Sequence, residues 1–391
     1  MLPTWITEPW TVAIGAVACA AAGRRLPAGA ARSAVLAVVH VSAAGHLIGR
    51  ELPEIFFGYV GLVIAHYALV RALAARPDAY AWIAFAFPLS WLVAARAMPG
   101  IAAPAGMSFM AFRLSQLVLD VRNGAAPLPG LAEYLGFAFF APTLAVGPIS
   151  PYGVHQRSLA LPAAEVAPPS LALYRILVGA TKFVVLGSMF DQLSYRGLLL
   201  DGRAHGVLDL PVAAVAYYLY LYCNFSGFCD LAIGAAALIG VRVRENFDSP
   251  LIARNPADFW NRWHITLSVY LREVLFTPLS KALVSRAGPA AAPHAIAVSI
   301  LAVFVTVGAW HGAGLHYLAF GAWHGAGVVA HHYYVLALKR RLGREAYRAY
   351  GESRAAHALA VCGTFCFVTA GFFLFANDGE SARKVLHAIT G

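Results

Sequence analysis

Residues 209–239 read DLPVAAVAYYLYLYCNFSGFCDLAIGAAALI, an almost uninterrupted apolar run of helical length. A helix needs about 20 apolar residues to cross the hydrocarbon core of a bilayer. The sequence therefore predicts an all-α, polytopic membrane protein with roughly ten to twelve membrane spans, some of them re-entrant or broken, and short interfacial helices. The other runs of this kind lie near 8–23, 33–49, 55–75, 79–97, 105–121, 131–147, 171–195, 263–284, 294–309, 314–338 and 356–376.

The composition of the 391 residues also indicates a membrane protein. Of these residues, 60% are hydrophobic and only 12% are charged, and the mean hydropathy is +0.66. Soluble domains have about a quarter of their residues charged. This composition excludes a disordered chain, a collagen, a coiled coil and an ordinary soluble enzyme. Because no stretch is long and polar enough to form a soluble domain, we expect a single transmembrane domain over residues 1–391.

The formal net charge is +10, from 29 Lys and Arg against 19 Asp and Glu. The basic residues cluster at 242–286 and 339–348, and the positive-inside rule places both clusters on the cytoplasmic side of the inner membrane. Basic loops facing anionic headgroups explain this charge better than nucleic-acid binding does, because the chain is so apolar. We therefore expect the lipid bilayer as a partner and no nucleic acid.

Neither the cysteines nor the clustered histidines suggest a disulfide framework or a metal site. The five cysteines are odd in number and lie within apolar runs, which argues against a disulfide framework. Zinc sites need ligands on one face with carboxylate support, whereas no acid lies near His316, His331 and His332 in sequence. We also find no Walker A loop, G-x-S-x-G elbow, H-E-x-x-H motif or dinucleotide fingerprint.

His311 is the strongest candidate for chemistry, since ionisable groups inside a bilayer are costly and usually functional. It lies in the GAWHGAG segment 308–314, at a break between two apolar runs. A neutral imidazole there could take a proton from a hydroxyl; the alternative is a packed histidine bonded to a carbonyl. The same heptapeptide recurs at 321–327, but an offset of 13 residues turns about 220° on an uninterrupted helix. We expect His324 to face elsewhere and to be structural.

His264 is the second candidate, and it follows Arg262 and Trp263 in a segment that alternates charged, aromatic and apolar residues. We expect this segment, 245–279, to form an interfacial helix that leads into a membrane-embedded one. His264 is then either a second polar residue in the same cavity as His311, nearer the cytosol, or an interfacial residue of the aromatic belt.

Two further sets of polar residues share helix faces within apolar runs. Arg113, Gln116 and Asp120 fall at i, i+3 and i+7, and Ser226 and Asp230 are four residues apart. Such groups either line a wet interior or pair across helices. From the residues alone, packing support is the favoured role for all five.

Several long blocks of this sequence resemble the membrane-bound O-acyltransferase (MBOAT) family. The most telling is ENFDSPLIARNPADFWNRWHITLSVYLREVLFTPL at 245–279, followed 47 residues after its histidine by the histidine of GAWHG. GMSFMAFRLSQLVLDVRNG, FAPTLAVGPISPY and YCNFSGFCDLAIGAAALIGVRV match the other recurring blocks of the family in order. The resemblance covers residues 101–391, and residues 1–100 match only in apolar character.

This resemblance implies a ring of helices around a thinned central funnel, and transfer of an acyl group from a thioester to a hydroxyl. Carried over, His311 is the catalytic histidine at the neck, and His264 is the second family histidine. Our hypothesis is that polar groups near the neck, His264 among them, steady the developing oxyanion. The resemblance also suggests funnel-lining residues, namely Trp310, Asn261, Asp230, Ser226, Arg113 and Gln116. A carrier protein would dock on Arg254, Arg262 and Arg272.

Within the family, this chain resembles most closely the members that transfer D-alanyl groups. It reads TPLSKAL where the alginate O-acetylation kind has a glycine-rich segment, and GLHYLAFGAWHG is closer to the D-alanyl kind. This kind implies no tightly bound cofactor, an acyl carrier protein that supplies a phosphopantetheine thioester, and a cell-envelope hydroxyl acceptor or periplasmic partner protein.

Two other functions compete with carrier-dependent transfer. One is O-acetyl transfer of the alginate or peptidoglycan type from a cytosolic donor such as acetyl-CoA. The other is transport, which predicts two related halves with discontinuous helices. The chain shows no such symmetry beyond the local heptapeptide repeat, which disfavours a transporter.

Overall fold

A computed structural model describes residues 4–49, 53–72, 79–97, 106–200, 203 and 205–390. These residues are mostly helical, and they form no strand apart from one isolated antiparallel bridge between Phe247 and Trp263. The predicted all-α class is confirmed. The helices are α1 (Thr4–Gly23), α2 (Ala30–Gly49), α3 (Pro53–Ala72), α4 (Ala79–Ala97), α5 (Met107–Arg122), α6 (Leu131–Ala138), α7 (Tyr152–Ala160), α8 (Ala163–Val166), α9 (Pro169–Ala180), α10 (Gly187–Gln192), α11 (Asp209–Ile239), α12 (Pro256–Arg262), α13 (Ile265–Leu271), α14 (Thr277–Ala287), α15 (Ala292–His311), α16 (Leu315–Glu352), α17 (Arg354–Ala376) and α18 (Gly379–Thr390).

Six helical segments in the described part of the chain are long and apolar enough to cross a membrane, so the protein is a multi-pass membrane protein. Two shorter apolar helical stretches accompany them, Val12–Gly23 and Ala81–Ala94. All six overlap runs that the sequence predicts as membrane spans. The six segments are Ala30–Ile48, Pro53–Ala72, Pro169–Leu199, Asp209–Ile239, Pro289–His311 and Arg354–Ala376.

Two of the predicted spans are broken in the structure, as the sequence led us to expect for some of them. The run at 131–147 contains only the short helix α6 and a 3-10 turn at Ala141–Thr143, where Pro142 removes a main-chain donor. The run at 263–284 is divided between α13, a π-helical segment at Arg272–Phe276, and α14. Such π segments occur often at functional sites.

The described residues divide into two compact units. The first consists of Met1–Thr181 with Gly227–Glu245, and the second of Lys182–Ser226 with Asn246–Gly391. A core of the first unit includes the fully buried Ala20, Ala236 and Ile239, packed with Leu36 and Phe140. The single domain expected from the sequence stays a prediction.

In the second unit, glycines of both GAWHGAG copies bring α15 and α16 close together. A Cβ added to Gly308 would lie 2.5 Å from the carbonyl oxygen of Tyr317, and one added to Gly321 would overlap the carbonyl oxygen of Phe304. Any side chain at these two positions would therefore separate the helices. The first glycine of each copy of the repeat thus allows the two helices to pack closely.

A helix break at Gly312 separates the two histidines of the repeat. His311 is the last residue of α15, and α16 begins at Leu315. The angle calculated for one uninterrupted helix therefore does not apply, although His311 and His324 do lie on different helices.

Helix α16 turns back on itself near its end. Gly343 has φ 70°, a conformation that glycine adopts readily. The hydroxyl of Tyr334 lies 2.9 Å from that of Tyr350, and the ammonium of Lys339 lies 5.3 Å from the ring of Tyr347. Residues 16 apart on a straight helix would be about 24 Å apart, so the chain after Gly343 folds back.

Candidate active site

His311 lies at the end of α15 inside a group of aromatic rings. Its ring centroid is 4.5 Å from that of Trp310, 4.9 Å from Phe375, and 6.0 Å from both Tyr317 and Phe320. The side chain is half-buried, so the imidazole is not sealed within the protein. The rings restrict its orientation, and its exposed part can receive a reacting group.

His264 is buried, and its backbone has an uncommon conformation. It has φ 47° and ψ 50°, in the left-handed region that few non-glycine residues adopt. It lies between α12 and α13, where the chain must turn sharply. Two main-chain hydrogen bonds hold the turn, from Asp248 N to the oxygen of Arg262 and from Ile265 N to the oxygen of Asn246. The segment is therefore broken at His264, between the short helices α12 and α13.

The side chain of Asn246 forms hydrogen bonds with residues of this turn. It is fully buried, and its Oδ1 lies 3.1 Å from His264 Nδ1. The same oxygen accepts hydrogen bonds from Thr266 N at 3.1 Å and from Thr266 Oγ1 at 2.8 Å. Asn246 thus binds both the histidine and the first turn of α13.

Trp310 brings the two candidate histidines into one aromatic cluster. Its ring lies 6.5 Å from that of His264 and 4.5 Å from that of His311. Phe225 packs edge-to-face on His264, with 4.8 Å between ring centroids. The structure therefore brings together three predicted site residues, Trp310, His264 and His311. Their catalytic roles stay predictions.

The second unit contains a cavity of about 190 Å³. Asn261 and Arg272 line it and are both exposed, and Arg272 Nη2 donates a hydrogen bond of 2.7 Å to Asn261 Oδ1. Apart from Ser268, the other lining residues are apolar, and Val307 is among them. Val307 precedes His311 by four residues on α15, which is about one helical turn. The cavity thus extends from an exposed polar pair to within a turn of the candidate base.

The three arginines predicted to dock a carrier protein differ in their surroundings. Arg262 Nε donates to Asp258 Oδ1 at 2.8 Å, and its Nη1 lies 3.7 Å from Asp248 Oδ2. Its charge is therefore already balanced within the protein. Arg272 belongs to the cavity mouth, whereas the side chain of Arg254 is exposed. Carrier docking by these residues stays a prediction.

Ser226 also belongs to the second unit, on α11 next to Phe225. Its side-chain oxygen is buried and has no hydrogen-bond partner among the described residues. An unsatisfied buried hydroxyl is costly. This cost is compatible with the predicted lining role, which stays a prediction.

Arg113 and Gln116, also predicted to line the funnel, belong to the first unit. The guanidinium of Arg113 is buried and donates to the carbonyl oxygens of Phe137 at 2.9 Å and Thr143 at 2.7 Å. Gln116 Nε2 lies 3.4 Å from Asp120 Oδ1, so these two predicted helix-face neighbours interact. Arg113 supports the irregular segment after α6, as the packing interpretation expects.

Asp230 forms an ion pair with Arg175, a residue that the sequence analysis did not single out. Arg175 Nη2 lies 2.9 Å from Asp230 Oδ1 and 2.5 Å from Glu245 Oε2, all within the first unit. The signal was available, because an arginine inside the apolar run 171–195 requires an acidic partner. Asp230 therefore holds α9 against α11, and a lining role for it stays a prediction.

His324 is fully buried among aromatic rings of the second unit. Its Nδ1 accepts a hydrogen bond from Trp260 Nε1 at 3.3 Å, and the ring of Phe320 lies 4.7 Å from it. Phe320 also lies against His311. No group of three or more His, Cys, Asp or Glu in the described ranges could hold a metal ion.

Two contributors to the site were missed by the sequence analysis. Asn246 is 18 residues from His264 in sequence, and no helical or strand periodicity links the two. Phe375 lies near the end of the apolar run 356–376, where it looks like any core residue. For Asn246, the only signal was a polar residue within the family-like block at 245–279.

Comparison with known proteins identifies the chain's relatives. Among them are the teichoic acid D-alanyltransferases of Bacillus subtilis (strain 168) and Streptococcus thermophilus, 27% and 28% identical over 278 and 287 residues. Each alignment covers 70% of this chain and 68% of the relative. The peptidoglycan O-acetyltransferase of Helicobacter pylori is 30% identical over 288 residues, covering 70% of this chain and 50% of the relative.

The sequence profile of one family matches most of the chain. The profile of MBOAT, the membrane-bound O-acyltransferase family, matches residues 60–368. The match begins upstream of residues 101–391, whose motifs carried the resemblance. It also includes both histidines of the aromatic cluster, His264 and His311. The chain thus belongs to the membrane-bound O-acyltransferase family and is an acyltransferase.

Proposed function

We propose that this protein transfers a small acyl group, D-alanyl or similar, from the phosphopantetheine thioester of an acyl carrier protein to a hydroxyl of the cell envelope. The reaction would take place in the inner membrane. The observation that carries the proposal is the cavity between the Arg272–Asn261 pair and Val307, one turn from His311. The names of the two D-alanyltransferase relatives support the acyl group.

The cavity suits a phosphopantetheine arm in both charge and polarity. Such an arm has an anionic phosphodiester at one end and a thioester at the other. Arg272 at the mouth can bind the phosphate, because guanidinium groups recognise phosphate oxygens well. The mostly apolar wall would hold the arm and exclude water. The thioester carbonyl would then reach the neighbourhood of His311.

Exposed cations of the second unit would bind an acidic carrier protein. Lys281 and Arg286 on α14 are exposed, as is Arg254. Because α14 buries none of its residues, its surface is available for a partner. Electrostatic attraction between these cations and an acidic carrier would speed their association.

His311 would act as general base on the acceptor hydroxyl. It takes the hydroxyl proton as the oxygen forms a bond to the thioester carbonyl carbon. The carbon–sulfur bond then breaks, and the thiolate leaves with the proton that His311 carried. The products are an oxygen ester on the acceptor and the free thiol of the carrier. His264, which shares the contact with Trp310, would complete the polar part of the site.

The identity of the acyl donor and the role of His311 can be tested with the purified protein reconstituted in liposomes. We expect label to pass from a D-alanyl-loaded carrier protein to a polyol-phosphate acceptor, and His311→Ala to abolish this transfer with the melting temperature unchanged. His357→Ala, on α17, is the matched control and should keep full activity. Transfer by the His311→Ala variant at the wild-type rate would overturn the role of His311.

Acetyl transfer is the second candidate function, and the similarity to a peptidoglycan O-acetyltransferase favours it. Here acetyl-CoA, which also has phosphate groups and a pantetheine thioester, would use the same cavity. The same liposomes incubated with labelled acetyl-CoA distinguish the two donors. Transfer from acetyl-CoA alone would replace the carrier-protein proposal with this one.

A further inference from the structure

We propose that Asn246 is a positioning residue, which holds His264 as the tautomer with hydrogen on Nδ1 and so makes Nε2 a hydrogen-bond acceptor. Only the role that this inference gives His264 in acyl transfer rests on the proposed function. The geometry that carries it is independent of any substrate. It consists of three hydrogen bonds to one oxygen atom.

The identity of the Asn246 oxygen follows from its other contacts. Oxygen and nitrogen of an amide side chain are distinguished by their hydrogen-bond network. The atom 3.1 Å from Thr266 N must accept, because a main-chain N–H can only donate. It is therefore the carbonyl oxygen Oδ1.

The tautomer of His264 follows from this assignment. An amide oxygen has no hydrogen to donate, so His264 Nδ1, 3.1 Å away, must carry the hydrogen of their bond. A neutral imidazole has only one N–H group. Nε2 of the neutral ring is consequently the nitrogen that carries a lone pair.

Neither partner can easily move away from this arrangement. Asn246 is completely buried, and its main-chain oxygen accepts a hydrogen bond of 2.9 Å from Ile265 N. His264 has a left-handed backbone and packs edge-to-face on Phe225. Rotating Asn246 would break its bonds to Thr266, and rotating His264 would break its bond to Asn246. The site has little access to water, where an unpaired polar group is costly.

The consequence concerns the part that His264 plays in acyl transfer. As a neutral ring, its Nε2 cannot donate to a developing oxyanion. It can instead accept a hydrogen bond from the acceptor hydroxyl or from a proton carrier beside His311. This inference revises the expectation that His264 steadies the oxyanion.

The test measures the tautomer directly and the activity separately. Protein labelled with ¹⁵N-histidine is examined by NMR in micelles near pH 8, and the His264 signals are identified by their loss in His264→Asn. We chose asparagine because it tolerates the left-handed conformation. Wild-type protein should show hydrogen on Nδ1 and an unprotonated Nε2. The opposite tautomer would overturn the inference, whatever the enzyme transfers.

Substitutions of Asn246 test its positioning role. In Asn246→Ala we expect a mixture of tautomers and a kcat at least about tenfold lower, with the KM for the donor unchanged. Asn246→Asp retains an acceptor for the Nδ1 hydrogen and should recover both the tautomer and most of the activity. An Asn246→Ala variant with wild-type tautomer and kcat would contradict the proposal.

Asn255→Ala is the matched control. Asn255 Oδ1 caps α12 by accepting from Asp258 N at 2.8 Å, so its loss destabilises a neighbouring helix. We expect a lower melting temperature but an unchanged pH profile and tautomer. An equal loss of kcat in Asn255→Ala would show that the effect of Asn246→Ala is merely structural. If no donor supports transfer, the proposed function fails while the NMR result still decides the tautomer.

Discussion

Arg272 Nη2 and Asn261 Oδ1 are joined by a hydrogen bond of 2.7 Å at the mouth of an otherwise apolar cavity. The bond links the π-helical segment Arg272–Phe276 to α12. It leaves the remaining N–H groups of the guanidinium able to bind an anion, and it holds the positive charge in one place. An anionic donor would therefore meet a fixed charge where it enters the cavity.

We expect Arg272→Gln to raise the KM for the thioester donor about tenfold, or ~1.4 kcal/mol, with kcat nearly unchanged. The charge binds the donor equally in the ground state and the transition state, so its loss affects binding alone. Steady-state kinetics in liposomes would measure both constants. Arg348→Gln is the control, because Arg348 is exposed and pairs with Glu352. A lower kcat with an unchanged KM would contradict this role.

Gly321→Ala should destabilise the protein by about 1–3 kcal/mol, because the new Cβ would overlap the carbonyl oxygen of Phe304 and push α16 away from α15. Thermal unfolding in detergent would measure the effect. Gly363→Ala is the matched control. Gly363 lies inside α17 with no atom within 4 Å of an added Cβ, so alanine there should stabilise by about 0.4–1 kcal/mol. Equal effects of the two variants would argue against glycine-dependent packing.

Removing the hydroxyl of Ser226 should leave stability unchanged or raise it slightly. The oxygen is buried without a partner in the described part of the chain, so Ser226→Ala removes a group whose burial costs about 1–3 kcal/mol. The melting temperature would measure stability and an acyl-transfer assay the function. A fall in activity without a fall in melting temperature would support the lining role of Ser226. A large loss of stability would show that the hydroxyl has a structural role.

Stability should fall with acid because of His155, which lies in α7 outside the candidate membrane spans. Burial, then the neighbouring His40, Arg113 and Arg24, lower its pKa to about 3 from an ordinary value of 6.5. Between these values the unfolded chain binds a proton that the folded protein does not. The stabilising contribution of neutral His155 is thus complete above pH 6.5 and is lost as the pH falls toward 3.

The variant His155→Gln should flatten this dependence by up to about 1.4 kcal/mol per pH unit, since the unfolded chain then takes up one proton fewer. Chemical or thermal unfolding in micelles at several pH values between 3 and 7 would measure the slope. Wild-type and variant slopes that coincide over this range would show that His155 does not titrate as inferred.

Continuous apolar helices were the part of the fold that the sequence predicted best. The runs at 79–97 and 209–239 agree with α4 and α11 at both ends, because turn-forming residues bound them in the sequence. The run at 131–147 is not one continuous helix. Its hydropathy is high throughout, but Pro142 and Gly147 disfavour a helical backbone, which hydropathy alone does not show. There, contacts to Arg113 replace the helical hydrogen bonds.

The candidate site was predictable in its histidines but not in their supports. His311 and His264 could be found because their segments resemble those of a known family. The bond between Asn246 and His264 could not, since it depends on a turn with left-handed residues at Ser249 and His264. Most non-glycine residues avoid that region, and only the folded context explains its use here.

The reversal of the chain at Gly343 offers a practical way to map membrane sidedness. No atom of the described residues lies within 4 Å of a Cβ added there. A short epitope placed after Gly343 would leave the helical stretch 315–342 intact. Whether antibody reaches it from the inside or the outside of sealed vesicles would report directly which face carries the neighbouring basic residues.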